Sequence, residues 1–139
     1  MKKVYEAVIP PGGWSDRFTY SPAVLVSFRA GHLLYISGMT SADEKDNLIG
    51  AGDIVRQAEY IFEKMGRILA VAGADFSNVV ETTDYYLTLE GYAQTAAVRK
   101  KVFGGPPYPA ATGVQVAGLI RPGALIEIKA VAVLGEAHA

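Results

Sequence analysis

The chain is predicted to fold as an α+β domain, and three observations carry that prediction. Apolar residues at three-four spacing between Ile54 and Ala72 mark one long amphipathic helix. Leu125 to Val133 is almost unbroken apolar sequence, as expected of a strand with both faces covered. Runs of β-branched and aromatic residues stand before, between and after two helical segments, so the order reads strand, strand, helix, strand, helix, strand, strand. A length of 139 residues matches about one domain, taken as residues 1–139.

Residues 5–19 contain Pro10-Pro11-Gly12-Gly13 and are expected to cross the surface before the first regular element. Trp14, Phe18 and Tyr20 within or next to this stretch imply that it is pinned, either to the core or to a neighbouring subunit and ligand. Ala23–Phe28 and Leu33–Ser37 read as a hairpin around Arg29-Ala30-Gly31-His32. Asp53 is the expected N-cap of the long helix and Gly73 its stop. Val79–Leu87 reads as a strand, a second helix runs from about Gly91 to Phe103, and Gly104-Gly105-Pro106-Pro107 ends it. Tyr108–Val116 and Leu125–Val133 supply the last two strands. Two helices of this size cover one face of a mixed sheet. The apolar side chains on the other face then call for a second copy, hence a closed homo-oligomer.

Composition narrows the function. Half of the residues are apolar, 19% are charged and the net charge is −1. A nucleic-acid binder concentrates Lys and Arg into a stripe, and only Lys2-Lys3 and Arg99-Lys100-Lys101 cluster here. With no Cys, and with two His placed in a turn (His32) and a tail (His138), metal catalysis is not expected. No stretch has the length of a membrane span and Met1-Lys2-Lys3-Val4-Tyr5-Glu6 has no long apolar segment, so the expected location is the cytoplasm.

The informative oddity is Glu127, which shares a strand face with Leu125, Lys129, Val131 and Val133. Ionised and unpaired in apolar surroundings a carboxylate costs several kcal/mol, so it is paired, solvated by a cleft, or protonated. A raised pKa there suits general acid–base work, while pairing with Lys129 at a subunit boundary is the plain structural alternative.

In their order and spacing, Tyr20-Ser21-Pro22-Ala23-Val24, Leu34-Tyr35-Ile36-Ser37-Gly38, Ala72-Gly73-Ala74-Asp75-Phe76-Ser77-Asn78-Val79-Val80, Tyr108-Pro109-Ala110 and Ile126-Glu127-Ile128-Lys129-Ala130-Val131-Ala132 resemble the Rid family over nearly the whole chain. These are the reactive intermediate deaminases, also called YjgF or L-PSP proteins. The resemblance implies a chorismate-mutase-like homotrimer with clefts between subunits. It also implies cofactor-free hydrolysis of imines and enamines such as 2-aminoacrylate. In the family signature Pro-Ala-Arg, the guanidinium clasps the substrate carboxylate. Here that position is Ala111, a pocket Cys is matched by Gly113 and a helical Asn by Ala96. Such changes imply a larger, less cationic pocket around the same acid, and a substrate other than 2-aminoacrylate.

By this reading Glu127 is catalytic, and Tyr20, Ser37, Gly38, Ala111 and Gly113 border the substrate. A carboxylate-bearing substrate would need a replacement cation from Arg17, Arg29 or Arg121, whereas a neutral or bulkier substrate would not. A non-catalytic trimer that binds a metabolite or partner protein is the alternative. RNA cleavage finds no support in the charge or in a His-rich site.

Overall fold

After Asp53 the apolar spacing produces the long helix α1, Ile54–Val71, in this computed structural model, which describes residues 2–135. His138, read above as part of a tail, lies outside the described residues. The Asp53 carboxylate accepts the amides of Val55 and Arg56 at 3.1 and 3.0 Å, satisfying two N–H groups that no helical carbonyl reaches. At the other end Gly73 adopts φ 77°, and the Ala74 amide reaches back to the Leu69 carbonyl at 2.9 Å.

Six strands form one mixed sheet: β1 (Tyr5–Val8), β2 (Ala23–Phe28), β3 (Gly31–Met39), β4 (Val79–Tyr86), β5 (Ala110–Gln115) and β6 (Ile126–Gly135), in the spatial order β1-β2-β3-β6-β4-β5. All neighbours are antiparallel except β4 and β5, which are parallel and connected through helix α2, Thr95–Phe103. Two expectations need correction. Residues 5–8 are not irregular, because they pair with β2 as an edge strand and the Pro/Gly stretch begins only afterwards. Four residues are too few to display a period of two in the sequence. The second helix begins at Thr95 rather than near Gly91, which sits at φ 77° and leads into a 3₁₀ turn, Tyr92–Gln94.

Alternation along β6 sets the two faces of the sheet. Ile126, Ile128, Ala130 and Ala132 are buried in one core with Ile61, Phe62, Met65 and Leu69 of α1. Phe103 of α2 packs against Phe62 with ring centroids 5.9 Å apart, so both helices cover this same face. The opposite face carries Glu127, Lys129, Val131 and Val133 with Leu33 and Tyr35 of β3, and in the single chain Tyr35 is 45% and Val133 43% exposed.

One polar residue within the apolar stripe of α1 ties the helix to the start of β6. Gln57 is fully buried, donates to the carbonyls of Gly50 and Gly123 at 3.1 and 3.2 Å, and accepts the Leu125 amide at 2.8 Å. Replacing it with Leu would leave these backbone groups unpaired away from water, at about 1–3 kcal/mol for each group that stays unsatisfied. Gln57→Leu is therefore expected to lower stability by on the order of 3 kcal/mol in urea unfolding. A loss within about 0.5 kcal/mol would remove Gln57 from the packing scheme.

Candidate functional site

Glu127 enters the site because the register between β3 and β6 slips between Ile36 and Met39, making a bulge at Ser37 and Gly38. The bulge brings the backbone of Gly38 against the Glu127 side chain. A Cβ at position 38 would lie 2.5 Å from Oε2, 3.2 Å from Cδ and 3.3 Å from Cγ, so only Gly leaves room for the carboxyl where it stands. Glu127 is half-buried, and the loss of water raises its carboxyl above the ordinary value of 4.5. It makes no ion pair with Lys129, and no other ion pair or side-chain hydrogen bond among the described residues.

The segment before β2 closes over this point. Trp14, Phe18 and Tyr20 form a mutual cluster with ring centroids 4.9 to 5.6 Å apart, and the Trp14 Nε1 donates to the Tyr20 carbonyl at 2.8 Å. Burial pushes the Tyr20 phenol up, the charge of Glu127 pushes it further, and Arg17 opposes both. Ser37 fastens the same segment to β3: its Oγ donates to the Ser21 carbonyl at 2.7 Å and its amide to the Pro22 carbonyl at 3.0 Å. Its hydroxyl proton is thus committed, and the oxygen can only accept from a ligand. Beyond the bulge, Lys64 of α1 donates to the carbonyls of Thr40 and Ala42 at 2.8 and 2.7 Å, and burial lowers its ammonium to about 8. The open face beside these residues is a groove of about 950 Å³ bordered by Trp14, Phe18, Tyr20, Tyr35, Ser37 and Lys129.

Tyr20, Ser37, Gly38 and Glu127 are therefore neighbours. Ala111 and Gly113 are not. They lie on β5, opposite Thr82 and Asp84 of β4, and share the helix-covered face with those buried residues. From Glu127, β5 is two strand spacings away, about 10 Å, and these two residues point to the other side of the sheet. Within one chain the two groups cannot meet.

The space left at Gly113 is not empty, which corrects the expectation of a simply enlarged pocket. A Cβ at 113 would sit 2.8 Å from the Tyr92 hydroxyl. That ring stacks on Tyr86 at 4.0 Å, and its hydroxyl donates to Asp84 Oδ2 at 2.8 Å. Arg99 of α2 donates through one terminal nitrogen to the same Oδ2 at 3.1 Å and to Thr95 Oγ1 at 2.8 Å, with its guanidinium carbon 5.5 Å from the Tyr92 ring centroid. The Asp84 side chain is only 6% exposed and its Oδ1 is buried without a partner. Burial raises its carboxyl, against the pull of Tyr92 and Arg99.

This cluster was missed in the sequence, although Asp84 carries the same signal as Glu127, an acid inside a β-rich run. Of the cations considered there, Arg29 sits in the β2–β3 turn at the far end of β3 from Gly38. Arg121 donates to the side chain and backbone oxygens of Asp46. Arg17 lies 3.9 Å from the Asp46 carboxylate on the exposed surface.

Residues 15–134 match the family described as Endoribonuclease L-PSP. Protein DfrA of Myxococcus xanthus is 40% identical over 114 residues, covering 82% of this chain and 84% of that protein. The human 2-iminobutanoate/2-iminopropanoate deaminase is 36% identical over 116 residues, covering 84% and 80%. The crystal structure of RidA from an Antarctic Psychrobacter superposes with a TM-score of 0.74 at 28% identity, covering 96% of this chain and all of that one. With the mixed six-stranded sheet and two helices on one of its faces, these matches make the chain a member of the Rid (YjgF, L-PSP) family.

Proposed function

We propose that this protein hydrolyses the C–N bond of a small imine- or enamine-type metabolite, using water and one carboxyl group without metal or cofactor. The reaction would take place in clefts between the copies of a cytoplasmic homotrimer. The observation that carries the reading is Glu127, a half-buried acid with no ion-pair partner among the described residues, on an open sheet face beside Gly38. The separation of Glu127 from Ala111 and Gly113 supports the assembly, since a second copy can bring the β5 edge of one chain to the open face of another. Half-exposed Tyr35 and Val133 on that face gain cover by the same step.

In the ionised form Glu127 takes a proton from water as the oxygen attacks the carbon of the protonated imine, giving a neutral carbinolamine. The protonated carboxyl then returns that proton to nitrogen, and as ammonia leaves the carbinolamine hydroxyl passes its own proton to the regenerated carboxylate, so that a carbonyl product remains. An enamine first accepts a proton on carbon to become the imine. A carboxyl raised toward the working pH serves both directions. Relatives named 2-iminobutanoate/2-iminopropanoate deaminase favour this chemistry. Because position 111 is Ala, 2-aminoacrylate is not expected to be the preferred substrate.

The test is to generate 2-iminobutanoate in situ and follow ammonia release with the protein, with Glu127→Gln, and with neither. Acceleration by the wild-type chain alone supports the proposal. Equal rates in all three would leave the non-catalytic, metabolite-binding trimer as the better account.

A further inference from the structure

We propose that Arg99 is the anion-binding residue of this site, so that the substrate carries a carboxylate or comparable anion clasped from helix α2 rather than from strand β5. This inference rests on the reading of the site given above, in which Arg99 on the helix-covered side of one copy meets Glu127 on the open face of a neighbouring copy.

The geometry around Arg99 is that of a held guanidinium with one edge left over. One terminal nitrogen makes both bonds, to Asp84 Oδ2 at 3.1 Å and Thr95 Oγ1 at 2.8 Å. The Tyr92 ring lies against its face, 5.5 Å from the guanidinium carbon. Its Nε and second terminal nitrogen have no partner among the described residues, and the side chain is 21% exposed. Those two nitrogens form the edge that matches a carboxylate with two parallel hydrogen bonds. An Arg anchored at one nitrogen and stacked on a ring has already lost most of its rotamer freedom, so little more is lost when it binds.

The sheet edge beside this cluster is uncovered in the single chain. Tyr92 reaches over Gly113 and Ala111 adds no bulk, so β5 presents a bare edge strand, all six of whose residues are exposed. A side chain at 113 would displace the Tyr92 hydroxyl and with it the second bond on Asp84, the carboxylate that orients Arg99. Asp84 and Tyr92 are accordingly positioning residues, and Arg99 is the one that touches substrate.

The probe is 2-oxobutanoate, the keto acid that remains when 2-iminobutanoate is hydrolysed, with 2-oxobutanamide as its uncharged counterpart. Binding is measured by calorimetry on the assembled protein and by the NMR shift of the Arg99 Nε–H. Wild-type protein is expected to bind the acid saturably, Glu127→Gln at least as tightly because it removes a neighbouring carboxylate, and Arg99→Gln about tenfold or more weaker. Arg99→Lys, which keeps the charge and loses the fork, is expected to fall between them. The amide should bind wild type no better than the acid binds Arg99→Gln.

Equal affinity of Arg99→Gln and wild type for the acid would overturn the proposal, as would equal affinity of wild type for acid and amide, or no saturable binding of the acid at all. Thermal unfolding of Arg99→Lys and Arg99→Gln checks that both variants fold. The outcomes separate from those for Glu127, which are read in turnover. Loss of acid binding in Arg99→Gln beside turnover that survives Glu127→Gln would sink the catalytic reading and leave this one standing.

Discussion

Glu127→Gln is expected to reduce turnover by about 10²–10⁴-fold, the usual contribution of a positioned acid–base group, while its sedimentation matches that of the wild-type protein. The amide is close to the carboxyl in size, so the contact with Gly38 survives, yet it can neither take a proton from water nor return one to nitrogen. In the wild-type protein kcat/KM is expected to rise with pH through the elevated titration of Glu127, above its ordinary 4.5, because the base must be ionised to act. The same shift has an opposite consequence for stability. A carboxyl whose folded pKa lies above its unfolded value binds more protons in the native state, so its contribution worsens as pH climbs from the unfolded to the folded pKa. At neutral pH the Gln variant should therefore melt at a higher temperature than wild type, and the gap should close at a pH below the unfolded value. A variant that keeps full turnover, or that melts lower at neutral pH, would contradict the desolvated acid described here.

The second large effect is expected from Gly38→Ala, which leaves every ionisable group in place. The new methyl would stand 2.5 Å from Glu127 Oε2 and 3.3 Å from Cγ, so the carboxyl must swing away or β3 must shift. A displacement of about 1 Å from the reacting atoms is enough to cost on the order of 10²-fold in rate. The pH profile distinguishes this from simple damage. If the acid is pushed toward solvent its titration should fall back toward 4.5. Unaltered kcat and an unaltered profile would show that the close approach of Gly38 has no bearing on the chemistry.

How far these features could be read beforehand depended on their range. Helix α1 was legible end to end because Asp53, the three-four spacing and Gly73 are local signals that agree. Glu127 stood out because a charge in an apolar strand is anomalous by itself. Strand β1 was hidden, since four residues carry almost no periodicity and acquire their order from β2. The orientation of Ala111 and Gly113 was hidden for another reason. Alternation gives the parity of a strand, but which face parity selects depends on its pairing with β4. Arg99 and Asp84 lie 15 residues apart on a helix and a strand, and nothing local announces that α2 folds back over β4 and β5. The role of Gln57 was hidden for the same reason, since Gly123 and Leu125 lie 66 and 68 residues along the chain from it.

Trp14 is the sole indole of the chain, clustered with Phe18 and Tyr20 at the border of the open-face groove. Its ring nitrogen is tethered to the backbone of the very Tyr whose phenol senses Glu127. The molecule thus has a native optical reporter: emission excited at the red edge of absorption arises from one fluorophore alone, at the rim of that groove. Changes in its colour or quenching as a small molecule is added would register occupancy without dye, label or turnover.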